Sequence, residues 1–160
     1  MLFRSKVVVK SNFVGVTGDS WNNPPKAKEL ALAQYDGGVD VIFQAAGASG
    51  AGVFDAAEEK KKFAVGVDSN QNGVKPGLVL TSMLKRIDNA LFETIKESIE
   101  KKGEIKGGTQ RFGLASKGVD LAIDENNAKI FTPEIKAKVD ALKAQIIAGK
   151  IQVPDFYKKK

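Results

Sequence analysis

Val39-Asp40-Val41-Ile42-Phe43-Gln44-Ala45-Ala46-Gly47-Ala48-Ser49-Gly50-Ala51-Gly52, continued through Lys61 to Phe63-Ala64-Val65-Gly66-Val67-Asp68, is the stretch on which the fold turns. Val39 to Phe43 is a short apolar run of β-branched and aromatic residues that breaks into small residues at Gly47, Gly50 and Gly52. That order suits a buried parallel strand entering a tight turn. From Val53 to Lys61 the spacing is helical, with Val53, Phe54 and Ala57 on one face and Glu58, Glu59, Lys60 and Lys61 on the other. Phe63 to Val67 then reads as a second buried strand, with Asp68 at its carboxyl end. Open α/β sheets bind ligands outside the carboxyl ends of their strands, so Gly47, Gly50 and Asp68 are expected to border one crevice.

Upstream, Lys6 to Lys10 and Phe13 to Val16 read as extended, and Thr17 to Asn23 as a polar loop that carries Trp21, the only tryptophan. Pro24-Pro25 suit the first turn of a helix running from about Pro25 to Tyr35, which Gly37-Gly38 stop. Downstream, Leu78 to Leu84 reads as a strand closed by Lys85-Arg86. Ile87, Ala90, Leu91, Thr94, Ile95, Ser98 and Ile99 recur at helical spacing and predict a long amphipathic helix from Ile87 to Lys102. Thr109–Leu114 and Val119–Ile123 are short extended segments, and Thr132-Pro133-Glu134 opens a last helix ending at Gly149. The expected class is α/β, an open, mainly parallel sheet with helices on both faces.

With 160 residues the chain has room for one domain and a core. The formal charge of +6 is spread over Lys60–Lys62, Lys101-Lys102 and Lys158–Lys160, with no aromatic interleaving, so no nucleic-acid partner is expected. The absence of cysteine and histidine excludes disulfides, Cys/His metal sites and every histidine-based triad. No catalytic residue, metal or cofactor is expected. No apolar stretch is long enough to span a membrane, and Met1 to Ser5 lack the apolar core of a signal peptide.

Two readings fit the crevice. Strand, glycine turn, helix, strand and then Asp68 is the order of a dinucleotide site, in which the acid binds ribose hydroxyls. The glycines fall as G-x-x-G-x-G, however, and no Tyr-x-x-x-Lys pair or other hydride-site base is present. This alternative is a Rossmann-like cofactor-binding fragment of an oxidoreductase. The other reading is a sugar- or nucleoside-binding lobe without catalysis, in which a strand-end carboxylate accepts two hydrogen bonds from a vicinal diol. Small residues at the turn expose backbone N–H groups, Trp21 supplies an aromatic face and Lys85 a cation. A purely structural or interaction domain is a third possibility and would leave Asp68 and Trp21 without a ligand.

The runs Gly18-Asp19-Ser20-Trp21-Asn22-Asn23-Pro24-Pro25-Lys26-Ala27-Lys28-Glu29, Gly38 to Gly47, Val65-Gly66-Val67-Asp68-Ser69-Asn70-Gln71 and Thr81-Ser82-Met83-Leu84-Lys85-Arg86-Ile87-Asp88-Asn89-Ala90 together resemble the basic membrane protein family. Its members are purine-nucleoside-binding lipoproteins of ABC transporters, related to type 1 periplasmic binding proteins. The likeness runs from about Lys6 to the C-terminus, and residues 1–5 do not share it. It implies a two-lobed extracytoplasmic receptor, periplasmic or lipid-anchored, that closes on a nucleoside and is read by a membrane permease.

By the same resemblance residues 6–160 are an incomplete C-terminal lobe. Its first strand and helix, the N-terminal lobe and the lipid-attachment cysteine would all precede Lys6, and the helix from Ile87 would pack on the absent lobe. Asp68 resembles the family's ribose-binding carboxylate, Gly47 its close backbone approach, Lys85 the basic residue near the sugar and Trp21 a position usually aromatic. Trp21 and Phe43 are the two candidates for stacking on the base, with Phe43, inside a buried strand, favoured as core. Asn23-Pro24-Pro25 departs from the more usual Asp-Pro-Ala, and the acids that would read the purine edge have no counterpart in this chain.

Overall fold

The computed structural model describes residues 7–104 and 107–154, so the strand start at Lys6 and the terminal lysines lie outside the described residues. The helices are α1 (Pro24–Asp36), α2 (Gly50–Lys60), α3 (Ile87–Glu100) and α4 (Pro133–Ile147), and the strands are β1 (Val41–Phe43), β2 (Phe63–Asp68), β3 (Val79–Lys85) and β4 (Val119–Leu121). The sheet order is β1-β2-β3-β4. The first three strands are parallel, with Phe43 opposite Val65 and Asp68 opposite Leu84, and β4 is antiparallel to β3. This is the open, mainly parallel α/β architecture expected from the sequence.

Local chemistry sets the helix boundaries. The Asn23 side chain accepts the Lys26 N–H at 3.1 Å, and Pro24 and Pro25 occupy the first turn of α1, where a proline's missing N–H leaves no bond unmade. Lys61, in the left-handed region at φ 51°, ends α2. The core is built mostly of small side chains, Ala27 and Ala31 of α1 and Ala56 and Ala57 of α2, packed with Tyr35, Val53, Phe54, Ala64 of β2 and Val79 of β3. Small residues let the two helices close on each other, and Gly52 of α2 lies directly against the Pro24 backbone of α1.

Tyr35 ties α1 to the sheet. It is buried, its hydroxyl donates to Phe63 O at 2.8 Å, and burial pushes its phenol up to about 12. The native state therefore favours the neutral phenol, and the stability this gives is complete below the unfolded value near 10 and is lost as pH rises through about 12. Tyr35→Phe is expected to cost about 1 kcal/mol at neutral pH, because Phe63 O loses its buried donor. Denaturant melts of the two proteins should converge above pH 10 and cross before pH 12, where the tyrosine protein becomes the less stable. A gap that stays constant across that interval would show that the phenol does not titrate with unfolding.

Three segments depart from the sequence expectation. Val7–Lys10 and Phe13–Val16 are not strands. They are held instead by Lys10 Nζ donating to Gly37 O at 3.2 Å and by Val14 packing on the core. Strand propensity needs a partner edge, and the edge strand β1 is separated from this segment by a groove of about 880 Å³. Phe43 is consequently 54% exposed and lines that groove, rather than joining the core as its strand context suggested. Thr109–Leu114 is also not a strand. Its backbone is turned back locally, with Gly113 N–H on Ser116 Oγ at 2.9 Å and Gly118 N–H on Gly113 O at 2.9 Å.

Residues after β3 leave the sheet and return to it at one point. Arg86 N–H donates to Gly118 O at 2.9 Å and Asn89 Nδ2 to Lys117 O at 2.8 Å, so α3 and the turns beyond it form an excursion closed at its base. The helical spacing of α3 is as expected, and its apolar stripe is open: Ile87, Leu91, Phe92, Ile95 and Ile99 are all exposed. In α4, Thr132 caps the first turn by accepting the Ile135 N–H at 3.4 Å. Among the described residues no helix is long and apolar enough to cross a membrane.

Candidate functional site

The carboxyl ends of β1, β2 and β3 lie side by side, and the four residues singled out in the sequence fall at or beside them. Asp68 is the last residue of β2 and has φ 69°, a left-handed backbone that non-glycine residues adopt at a cost and that aspartate tolerates better than most. Its Oδ1 lies 2.5 Å from Nζ of Lys85, the last residue of β3, and both side chains remain about half exposed. The pair is thus open to a ligand.

Gly47, at φ 58°, begins the turn between β1 and α2, and the left-handed backbone there suits glycine. A Cβ at this position would stand 3.2 Å from Trp21 O and 3.3 Å from Trp21 Cε3, so the indole rests on the glycine backbone. Trp21 is nonetheless 60% exposed, which leaves much of the ring free to receive a flat group. The site residues therefore form two contact pairs, Asp68 with Lys85 and Trp21 with Gly47. No side chain of one pair bonds directly to the other.

The link between the pairs is a chain of buried polar side chains that sequence reasoning missed. Ser49 Oγ accepts Asn23 N–H and donates to Ser20 O, each at 2.6 Å, and so clamps the Trp21 loop to the Gly47 turn. Gln44, at the end of β1, donates through Nε2 to Gln71 Oε1 at 2.9 Å, and Gln71 Oε1 also accepts Val67 N–H at 2.8 Å. Gln71 N–H donates to Ser82 Oγ on β3 at 3.0 Å, and Ser82 Oγ donates to Asn72 Oδ1 at 2.9 Å. Gln44, Ser49, Asn72 and Ser82 are all buried. The available signal was a polar residue directly after Val41-Ile42-Phe43 and another inside the apolar run of β3.

Asp124 braces the loop beyond Asp68. Asn70 Nδ2 donates to its Oδ2 at 2.6 Å, and that hydrogen bond holds its carboxyl below the usual carboxylate range. A concavity also lies in the groove between residues 7–18 and β1, and it borders this site at the Trp21 loop and at Gln44, Ala45 and Ala46 beyond the end of β1. Among the described residues no cluster of acidic side chains could hold a metal ion.

A mainly parallel sheet with polar groups at the carboxyl ends of its strands has the layout in which open α/β folds form their crevice. A family profile for ABC transporter substrate-binding proteins of the PnrA-like type matches residues 6–156, and the chain belongs to that family. It is 35% identical over 153 residues to Basic membrane protein D of Borreliella burgdorferi, covering 94% of this chain and 43% of that protein. It is 34% identical to the ABC transporter nucleoside-binding protein BmpA of Lactococcus lactis subsp. cremoris, covering 94% of this chain and 45% of the relative. Among solved structures, an ABC transporter solute-binding protein from Aeropyrum pernix superposes with a TM-score of 0.67 at 25% identity, covering 84% of this chain and 45% of its own. The chain therefore spans less than half the length of these relatives.

Proposed function

We propose that this chain is the C-terminal lobe of a solute receptor of an ABC importer, and that its crevice binds the ribose and base of a purine nucleoside without chemical conversion. The observation that carries the reading is Asp68: a carboxylate on a left-handed strand end, half exposed, paired with Lys85 and beside the turn on which Trp21 lies. A carboxylate in that position can accept both hydroxyls of a vicinal diol, while the Lys85 ammonium keeps its charge compensated and can donate to a neighbouring sugar oxygen. The exposed indole offers the base a stacking face. Family membership and the named nucleoside-binding relative support this reading over a cofactor-binding oxidoreductase fragment.

In the same proposal a second lobe covers the crevice and packs on the open stripe of α3, and closing of the two lobes on ligand presents a surface to a membrane permease. The whole receptor then works outside the cytoplasm, anchored by lipid or free in a periplasm. The test is calorimetric titration of the full-length receptor with adenosine, guanosine, inosine, ribose and NAD. Nucleoside binding is the expected result, and binding of NAD alone would replace this reading with the cofactor one.

Trp21 supplies its own test. Stacking a base on an aromatic side chain contributes about 1–3 kcal/mol, so Trp21→Ala should weaken nucleoside affinity by roughly tenfold or more. Ribose, which has no base, should bind the variant and the parent equally. An equal loss for ribose would mean that Trp21 shapes the loop and does not touch the base.

A further inference from the structure

We infer that Gln71 is a positioning residue that sets the orientation of the Asp68 carboxylate, and that the Gln44–Gln71 amide bridge makes the Gly47 turn and the Asp68 strand end one rigid unit. The inference rests on the diol-binding reading of Asp68 given above.

Gln71 is held through its amide oxygen and its backbone. Its Oε1 takes the N–H of Val67, the residue before Asp68, and the Nε2–H of Gln44, from the neighbouring strand end. Its backbone N–H is fixed separately on Ser82 Oγ of β3. One side chain therefore reaches β1 and β2 while its own backbone holds β3.

The fold is cut to receive both amides. A Cβ at Gly66 would stand 2.8 Å from Gln71 Oε1, and a Cβ at Gly50 would stand 2.2 Å from Gln44 Oε1. Each glutamine thus occupies the space left by a missing side chain. Gln44 Oε1 in turn accepts the Ala46 N–H at 3.3 Å, one residue before Gly47, so the bridge ends on the backbone of each ligand-facing turn.

The mechanical argument concerns Asp68. Its backbone is left-handed, a conformation an L-residue holds only when its surroundings impose it. The Val67 N–H to Gln71 Oε1 bond restrains the peptide just before the turn, and the antecedent strand cannot slip without breaking it. Without that acceptor the Val67 N–H loses a buried partner and Asp68 is free to relax towards extended backbone, which would swing its carboxylate away from the diol. A group that acts through orientation affects recognition of the diol in particular and leaves contacts with the base alone.

The experiment uses the full-length receptor and compares adenosine, guanosine and inosine with their 2′,3′-dideoxy counterparts, which lack the diol, by calorimetry on the parent, Gln71→Leu and Gln71→Glu. The parent is expected to prefer the diol-bearing form by roughly 100-fold. Gln71→Leu, which removes the acceptor, should narrow that preference to within about tenfold, and Gln71→Glu, which keeps an oxygen at the same place, should restore most of it. A general loss of packing would weaken both forms together and leave the ratio unchanged, so a folded Gln71→Leu protein with the parental ratio overturns the inference. If the parent itself shows no preference for the diol, the ribose reading of Asp68 has failed, and the inference falls with it. Should Gln71→Leu not melt cooperatively, Gln44→Met takes its place, since it removes one of the two hydrogen bonds to Gln71 and keeps the other. A narrowing of about threefold is then expected, and an unchanged ratio overturns the inference.

Discussion

Asp68→Ala in the full-length receptor is expected to lower nucleoside affinity by two to three orders of magnitude. A carboxylate accepting two hydroxyls makes two charge-assisted hydrogen bonds, each contributing about 1.5–3 kcal/mol, and the lower end of their sum, about 3–4 kcal/mol, corresponds to that range in Kd. The variant should remain folded. Lys85 loses its partner, but both side chains are about half exposed, and an ion pair so well solvated contributes little to stability. The left-handed backbone adds an internal control. Asp68→Gly removes the carboxylate and the strain together, so it should bind as poorly as the alanine variant yet be more stable by about 1 kcal/mol. Asp68→Asn keeps one acceptor and a tolerable backbone and should fall between parent and alanine. Calorimetry and thermal melts on the four proteins separate chemistry from conformation, and an alanine variant with parental affinity would remove Asp68 from the site.

Gly52→Ala should have an effect of comparable size on folding. The added Cβ would lie 2.0 Å from Pro24 O and 2.8 Å from Lys28 N, both backbone atoms of α1, so no side chain can turn aside to make room. The two helices must separate, and the contacts of Ala27, Ala31, Val53 and Phe54 across their interface go with them. The expected cost is at least about 3 kcal/mol, a large fraction of the 5–15 kcal/mol typical of a domain. Intrinsic propensity predicts the opposite sign, since alanine is favoured over glycine in a helix by about 1 kcal/mol. The sign of the change in urea midpoint therefore decides between them. Gly18→Ala, which meets nothing within 4 Å, is the matched control and should melt like the parent.

The fold was legible where local pattern and tertiary context agree. The order of strand, glycine turn, helix and strand from Val39 to Asp68 reads correctly because these are short-range features, and the parallel pairing of β1 with β2 follows from the intervening helix, whereas the expected burial of β1 does not hold. Val7–Lys10 shows the converse. Its β-branched side chains have the propensity of a strand, but a strand exists only through a partner, and propensity carries no information on whether one lies within bonding distance. Phe43 was misjudged for the same reason, since an apolar strand reads alike whether it is central or at an edge.

At the candidate site, Asp68, Lys85, Gly47 and Trp21 were singled out by chemistry and by resemblance, and the structure places all four at or beside neighbouring strand ends. Their pairing, Asp68 with Lys85 and Trp21 against Gly47, needed the register of β2 on β3 and the path of the Trp21 loop. Gln44 and Gln71 were illegible as partners because they are 27 residues apart and no pattern in the sequence pairs them. Buried amides of this kind specify loop geometry, and sequence spacing alone does not encode which one meets which.

The stem formed by Arg86 and Gly118 sets α3 and its turns apart from the sheet. The chain leaves β3 and enters β4 side by side there, so the two strands experience the same two chain ends whatever the excursion contains. Substitutions, lengthening or replacement of α3 and its turns can then accumulate without disturbing the strand register that carries Lys85. The excursion is therefore an insert on a stem, and a change within it alters the surface the chain offers, the apolar stripe of α3 included, while the strand ends stay in place.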